Sequence, residues 1–267
     1  MHEVKNEKFG SRPSVLEPMF KRCGITFQKG LYFVTCTRRF NCDVNTRYLI
    51  FLESLSEEDF ESRDLSVIKA CVKEVFWRRS YRVLIDEKDQ SVRIRGFVSD
   101  QTMTFNQEDF KQFILKETQC GYEESSGRVG ESSSPFSKFF RKCMGAAFAM
   151  TDIDFVLPGS ILVEEKTFLR RANNDVYGYI GVGQCLSFNE LLTDVLTEKC
   201  RIFLVFCEKG PQGKSFRLRP YSRMRCSDFK EYDDTWGQVV RIELSNECLY
   251  DESGLICFFR TESSSSQ

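Results

Sequence analysis

Thr151 to Phe168, TDIDFVLPGSILVEEKTF, has the pattern of two apolar strands joined at Pro158-Gly159. A charged side chain inside such a strand is costly to remove from water unless it is paired or binds a metal. The charged residues of this stretch are Asp152, Asp154, Glu164, Glu165 and Lys166. Because these charges conflict with the apolar pattern around them, we expect a functional site here.

The proline in the turn decides which residues of the hairpin face one another. A two-residue hairpin loop needs a positive φ at its first central position, which proline cannot adopt. A three-residue loop instead pairs Leu157 with Ile161 and sets Asp154 opposite Glu164. In the same register Asp152 falls opposite Lys166, as an acid that supports the site or as a solvated side chain. Lys166 shares the face of Glu164, whereas the Glu165 side chain points the other way.

Two carboxylates on facing positions predict a divalent-metal site. Cβ atoms of facing residues lie about 5 Å apart, and two carboxylates at that separation repel each other unless a cation lies between them. The lysine beside them is suited to hold an attacking water or to stabilise charge on a phosphate. The alternative is a surface hairpin with an exposed charged face and a Glu–Lys ion pair of little energetic weight.

The spacing of these residues resembles the signature of the PD-(D/E)xK nuclease superfamily, which has the restriction-endonuclease-like fold. Asp154 is followed, after nine residues, by Glu164-Glu165-Lys166. The resemblance covers roughly residues 135–207 and implies an αβββαβ core with a mixed sheet. It also implies hydrolysis of phosphodiester bonds in DNA or RNA with Mg²⁺ or Mn²⁺. The alternative is an inactive module of the same fold that binds nucleic acid or a protein partner.

The resemblance assigns a role to each residue of the signature. Asp154, Glu164 and Lys166 would be catalytic, with the metal held by Asp154, Glu164 and the backbone carbonyl of Glu165, and with Lys166 orienting the water. Ile153 stands where the family often has proline. Gln184 resembles a motif glutamine of the RecB-like branch, but it precedes the helix that the sequence predicts, and we interpret it as structural. The acid that many members carry on the preceding helix has no clear match, and Glu131 is the nearest candidate.

A basic segment near the C-terminus is a second candidate for contacts with nucleic acid. Phe216 and Tyr221 are interleaved with its charges, a combination that suits phosphate contacts and base stacking. The alternative is a strand edge protected by charge. The residues predicted to bind nucleic acid are Lys214, Arg217, Arg219 and Arg223, with Arg225 close by.

Composition limits the remaining functions. The 267 residues, of which 41% are hydrophobic, suffice for one large domain or two small ones. The net charge of −1 predicts no general affinity for nucleic acid or membranes. The longest apolar run is far shorter than the roughly 20 residues of a membrane span, and the polar N-terminus lacks a signal peptide, so we expect an intracellular protein of the cytoplasm or nucleus.

The cysteines and the single histidine exclude several site types. The chain has 12 cysteines and no CxxC pair, so a structural zinc site has little support. His2 is the only histidine, which argues against hydrolases that use a histidine base. Without a signal peptide, most of the cysteines are expected to be reduced thiols.

The periodicity predicts a protein of the α/β class, with an α+β arrangement over the whole chain. We expect this chain to be divided into two domains. Residues 1–120 form an α+β domain that would position substrate or bind a partner, a second copy of the chain included. Residues 121–134 (GYEESSGRVGESSS) have linker composition, and 135–267 form the nuclease-like domain. The predicted strands are 31–40, 47–55, 81–86, 91–98, 201–207, 238–244 and 255–260, in addition to the hairpin. The predicted helices are 64–79, 106–118, 135–145 and 188–199, the last with a capping box at Ser187. Residues 261–267 are expected to be a disordered tail.

Overall fold

The computed structural model describes residues 14–36, 47–99, 101–119, 134–145, 147–166, 169–172, 175–210, 213–224, 230–233, 237–244 and 248–264. The helices are α1 (Leu16–Arg22), α2 (Glu57–Ser62), α3 (Ser66–Cys71), α4 (Gln107–Thr118), α5 (Pro135–Met144), α6 (Val182–Glu190) and α7 (Glu252–Ser264). A 3₁₀-helix spans Glu74–Arg79, and a π-helical turn, Leu191–Val195, follows α6. The predicted α/β class is confirmed.

The strands form three sheets. Their bounds are β1 (Leu31–Cys36), β2 (Tyr48–Glu53), β3 (Ser80–Asp86), β4 (Ser91–Gly96), β5 (Thr102–Phe105), β6 (Phe148–Ile153), β7 (Phe155–Leu157), β8 (Ile161–Lys166), β9 (Leu169–Ala172), β10 (Asp175–Gly181), β11 (Arg201–Gly210), β12 (Gly213–Tyr221), β13 (Lys230–Asp233), β14 (Gly237–Leu244) and β15 (Leu249–Tyr250). The first sheet has the order β5-β4-β3-β2-β1-β6, the second β15-β12-β11-β8-β7, and the third β13-β14-β10-β9.

Both faces of the first sheet are covered, because its central strands carry apolar residues on both sides. Tyr32 and Phe51 face an apolar cluster that includes residues of α4 and α5. Leu31 and Ile50 face another cluster that continues into α6, β11 and β14. Every residue of β2 is buried, as expected for a strand between two packed layers.

The predicted boundary between two domains does not separate two cores. Helix α5 and strand β6 lie C-terminal to the predicted linker, yet α5 packs on the first sheet and β6 pairs with β1. Phe136 of α5 contacts the ring of Phe51 at a centroid separation of 5.0 Å. The apolar segments before and after the linker therefore fold against each other. Residues 120–133, most of them in the predicted linker, lie outside the described part of the chain.

The chain changes sheets at Asp154. Ile153 pairs with Leu31 in the first sheet, and Phe155 pairs with Val163 in the second. Strand β8 then runs antiparallel to β7 and parallel to β11. The connection from β8 to β11 includes β9, β10 and α6, so a crossover that contains a helix joins these two parallel strands.

Three predicted elements differ from the structure. The helix expected over 64–79 ends at Cys71, because the backbone of Val72 pairs with Leu196 before a 3₁₀-helix begins. The helix expected from Phe188 begins at Val182, after the N-cap Gly181, and Ser187 lies inside it. The strand expected over 255–260 is part of α7, which also includes the first residues of the predicted tail.

No helix in the described part of the chain is long and apolar enough to cross a membrane.

Eight described cysteines have free thiols, whereas Cys185 of α6 is disulfide-bonded. The expectation of reduced thiols therefore holds for those eight and not for Cys185.

Candidate functional site

The β7–β8 hairpin has the predicted register. Leu157 pairs with Ile161 across a three-residue turn from Pro158 to Ser160. Gly159 has φ +80°, and a Cβ there would lie 2.9 Å from the Cα of Ser263, so the turn requires glycine on two counts. Beyond the last pair of the ladder, Phe155 with Val163, this register brings Asp154 level with Glu164.

Asp154 is held against β8 by a backbone hydrogen bond. The amide N–H of Glu165 donates to Oδ2 of Asp154 at 2.7 Å. Burial and, after it, the neighbouring charge of Glu164 raise the pKa of Asp154 well above its usual value, and the Lys166 charge offsets part of this. The carboxylate is therefore destabilised as an anion when no cation is added.

Glu164 is buried, with only 5% of its surface exposed. Its Oε1 accepts hydrogen bonds from Lys166 Nζ at 2.6 Å and from Gln184 Nε2 at 2.7 Å. Its Oε2 is buried and has no hydrogen-bond partner among the described residues. Burial raises the pKa of Glu164 against the lowering effect of Lys166, and the charge of Asp152 raises it further.

Gln184 joins the predicted residues, although its place in the site was not predicted. Its Oε1 accepts a hydrogen bond from Lys166 Nζ at 2.8 Å, so the amide spans Lys166 and Glu164. The capping box at Ser187 predicts a helix that starts after Gln184. An earlier helix start could have been found from the apolar residues at helical spacing, which continue N-terminally to the residue after Gln184. These residues are all buried: Cys185, Phe188, Leu191 and Val195.

Glu165 faces away from the carboxylate pair, as predicted, and binds the N-terminal segment. Its carboxylate accepts hydrogen bonds from Ser14 Oγ at 2.6 Å and from the N–H of Val15 at 2.7 Å. These contacts place a negative charge at the start of α1, where the helix dipole favours it. The predicted metal contact of Glu165 through its backbone carbonyl stays a prediction.

Asp152 does not lie opposite Lys166, and the prediction of that pairing was wrong. Because the chain changes sheets at Asp154, Asp152 belongs to β6 and pairs with Tyr32. It is exposed, and its charge reaches both Asp154 and Glu164.

Two cavities adjoin the cluster and meet at Asp152. One, of about 370 Å³, lies between α5, β6 and the start of α6 and is lined in part by Gln184. The other, of about 690 Å³, lies between the first sheet and the segment from α1 to Gly30 and is lined in part by Asp154. The site is thus recessed between the first two sheets.

The basic segment is divided between the surface and the interior. Lys214, Arg219 and Arg223 are exposed. Arg217 is only 3% exposed, and its Nε lies 3.5 Å from Glu208 Oε2, so its buried position does not fit the predicted phosphate contact. Tyr221 is also buried and donates to the carbonyl of Cys185 at 2.9 Å rather than presenting a ring for stacking. Arg225 lies outside the described residues.

The carboxylate pair fits a divalent cation in its donor set. Burial raises the pKa of both carboxyl groups, and Oε2 of Glu164 has no hydrogen-bond partner among the described residues. A hard cation would stabilise both carboxylates and would bind this oxygen. Among the described residues, no group of three or more His, Cys, Asp or Glu side chains is arranged around a common point. The protein side chains would therefore supply two carboxylates.

No protein-family model, curated protein or solved structure matches this chain. The resemblance to the nuclease superfamily therefore depends on the residues and geometry described above.

Proposed function

We propose that this protein is a metal-dependent nuclease that hydrolyses phosphodiester bonds of DNA or RNA. The observation that carries the proposal is the arrangement around Glu164. Its carboxylate is buried beside Asp154 and accepts hydrogen bonds from Lys166 and Gln184 on one oxygen. The other oxygen has no partner in the described part of the chain. A carboxylate pair that is buried at Glu164, partly buried at Asp154 and incompletely hydrogen-bonded costs stability, which is typical of a site kept for chemistry.

Asp154 and Glu164 are the residues that would hold Mg²⁺ or Mn²⁺. When bound, such an ion supplies charge neutralisation at the phosphate and activation of a water molecule. The hydrogen bond from the Glu165 amide fixes Asp154 Oδ2, so Asp154 would offer its other oxygen. Glu164 would offer Oε2, since Oε1 already accepts two hydrogen bonds.

Lys166 and Gln184 would orient the reacting groups. The Lys166 side chain is 18% exposed and keeps its ammonium 2.6 Å from Glu164, so its position is fixed at the edge of the recess. A positive charge held there is placed to orient water or to stabilise charge on the phosphate. The Gln184 amide, through its contacts with both neighbours, keeps the lysine in that position.

A cleavage assay tests this function. Purified protein is incubated with labelled DNA or RNA in Mg²⁺, Mn²⁺ or EDTA, beside Asp154→Ala and Lys166→Ala. We expect metal-dependent cleavage that each substitution lowers by about 10²- to 10³-fold, as for loss of one stabilising group in other active sites. Glu198→Ala and Lys199→Ala, at exposed positions before β11, are matched controls and should cleave like the wild type.

Two results would count against the enzyme. Cleavage that survives both site substitutions would indicate a contaminating nuclease. Metal-independent binding of nucleic acid without cleavage would favour the inactive nuclease-fold module, in which the carboxylate cluster is a remnant.

A further inference from the structure

The cavity of about 370 Å³ beside Gln184 indicates which form of nucleic acid can reach the carboxylate pair. We call it the α5–α6 cavity; Phe140, Arg141, Phe148, Asp152, Gly183 and Gln184 are among its lining residues. It adjoins the site directly, because Gln184 donates to Glu164 and the charge of Asp152 reaches the same carboxylate. A substrate phosphate that contacts Glu164 must pass below the protein surface, since Glu164 is only 5% exposed.

We propose that the α5–α6 cavity receives a nucleotide of an unpaired strand, so that the protein acts on single-stranded nucleic acid rather than on intact duplex. This inference rests on the nuclease function proposed above. A cavity of this volume equals a cube about 7 Å on a side. The major groove of B-form DNA is alone about 12 Å wide, so a duplex cannot enter. A flexible single strand can turn one nucleotide inward, whereas a duplex must first break pairing and stacking.

The lining of the cavity suits one nucleotide. Ala149 and Met150, both partly exposed, form apolar parts of its wall, against which a base can lose contact with water. Arg141 is the cation among the described lining residues, and its guanidinium has the planar geometry that binds phosphate oxygens. The Arg141 Nε donates to Ser137 Oγ at 3.3 Å, which orients the side chain on α5.

The larger cavity, on the other side of Asp152, is a weaker candidate for this nucleotide. Five acids line it, against three cations, so it repels phosphate more than the α5–α6 cavity does. The acids are Glu17, Glu53, Asp59, Asp152 and Asp154, and the cations are Lys21, Lys29 and Arg63. Charge therefore favours the α5–α6 cavity.

A glycine pair allows the cavity to be blocked with a matched control. Gly183 lines the cavity, and a Cβ added there meets no atom within 4 Å and needs no left-handed backbone, so a side chain can be introduced at this position. Gly181 is equally open to a Cβ, lies two residues earlier, and is not among the lining residues. Gly183→Phe should obstruct the cavity, whereas Gly181→Phe should not.

The test measures binding, so that it is separate from cleavage. Labelled oligonucleotides of one sequence are used as single-stranded DNA, single-stranded RNA, blunt duplex DNA and blunt duplex RNA, and fluorescence anisotropy is recorded in EDTA. We expect a single-stranded probe to bind the wild type at least about ten-fold more tightly than its duplex, because its bases are free to leave the stack. Gly183→Phe should lose this preference and Gly181→Phe should keep it, with thermal melts to confirm that both are folded. Arg141→Gln should weaken single-strand binding several-fold, whereas Lys142→Gln, an exposed neighbour that contacts Gln90, should not.

Each outcome decides the inference independently of catalysis. Duplex binding as tight as single-strand binding would overturn it, even in a protein that cleaves nucleic acid. Unchanged single-strand binding in both Gly183→Phe and Arg141→Gln would overturn the placement in this cavity. Single-strand preference that Gly183→Phe removes would support it, even if the cleavage assay failed and the nuclease proposal with it. Comparison of the DNA and RNA probes shows whether the bound single strand is DNA or RNA.

Discussion

Two acid clusters lie along the same helical segment and differ in how their carboxylates are satisfied. At the start of α6, Gln184 contacts Glu164, whose second oxygen is buried and has no hydrogen-bond partner within the described ranges. Two turns later, Glu190 and Asp194 meet Arg47 and Tyr48 of the first sheet, and we call these four residues the Tyr48 cluster. Tyr48 Oη lies 3.3 Å from Glu190 Oε2 and 3.2 Å from Asp194 Oδ2, and the Arg47 guanidinium lies within 3.5 Å of both.

The comparison separates a structural cluster from a candidate site. In the Tyr48 cluster the two acids share one hydroxyl and one guanidinium, and the side chains of both acids are 23% exposed. Its contacts join the first sheet to the helix. In the site, the Glu164 side chain is 6% exposed, and Asp154 and Glu164 destabilise each other as anions. Removing a polar partner should therefore weaken folding in the Tyr48 cluster and weaken activity in the site.

Of the substitutions that test the difference between the two clusters, Gln184→Ala is expected to have the largest effect, which is on cleavage activity. The substitution removes both amide contacts that hold Glu164 and Lys166, and loss of such a supporting contact typically costs about 10- to 100-fold in activity or metal affinity. We expect cleavage to fall by that factor and the Mg²⁺ concentration for half-maximal activity to rise. Leu186→Ala, at an exposed position on the same helix, is the control. An unchanged metal requirement would show that the amide is structural only.

Tyr48→Phe should produce the opposite pattern. It removes the hydroxyl shared by Glu190 and Asp194, which are partly exposed, and loss of a typical hydrogen bond costs about 0.5 to 1.5 kcal/mol of stability. We expect the free energy of unfolding in urea to fall by that amount, with cleavage by the folded protein unchanged. Tyr250→Phe, at a partly exposed tyrosine of β15, is the comparison and should change stability little. Equal effects of the two substitutions would contradict a structural role for the Tyr48 cluster.

We expect Asp154→Asn to stabilise the protein and, under the proposed function, to abolish cleavage. The amide keeps an oxygen for the Glu165 N–H and removes the charge that burial and Glu164 disfavour. Relief of a strained active-site group commonly adds about 1 kcal/mol, which urea unfolding at pH 7 without added metal would detect. Mg²⁺ should raise the melting temperature of the wild type more than that of the variant, since binding to the native state stabilises it.

The same substitution has a pH dependence with a definite sign. The folded-state pKa of Asp154 is raised, so the wild type loses stability as pH rises from the ordinary carboxyl range through that raised value. The advantage of Asp154→Asn should therefore grow over this interval and be absent at lower pH. Glu198→Gln, at an exposed acid, should show no such trend. If the stability difference between Asp154→Asn and the wild type were the same at every pH, the charge of Asp154 would not explain the stabilisation.

Much of the candidate site was predictable because it lies within one hairpin. Proline at position 158 excludes the shortest loop, and alternation along the strands then sets Asp154 level with Glu164 and turns Glu165 away. These are properties of neighbouring residues, which local sterics determine. Gln184 was placed wrongly because its helix begins among glycines, where local propensity favours a later start.

Other differences have a tertiary cause. The pairing of Val72 with Leu196 ends a helix whose own periodicity would have continued. The apolar residues of 255–260 suit either a strand or a helix, and packing of Leu255, Ile256 and Phe259 in the cluster that covers the second sheet decides for the helix. Asp152 left the hairpin because β6 pairs with β1, more than 110 residues earlier in the chain.

The sequence by itself determined the α/β class, about half of the strands and the hairpin that carries Asp154, Glu164 and Lys166, because apolar periodicity and turn sterics act over a few residues. Only the tertiary structure decided that the chain changes sheets at Asp154, that Gln184 closes the cluster, and that Arg217 is buried. Each of these depends on segments far apart in the chain, whose packing depends on the apolar surface they bury together rather than on any local pattern.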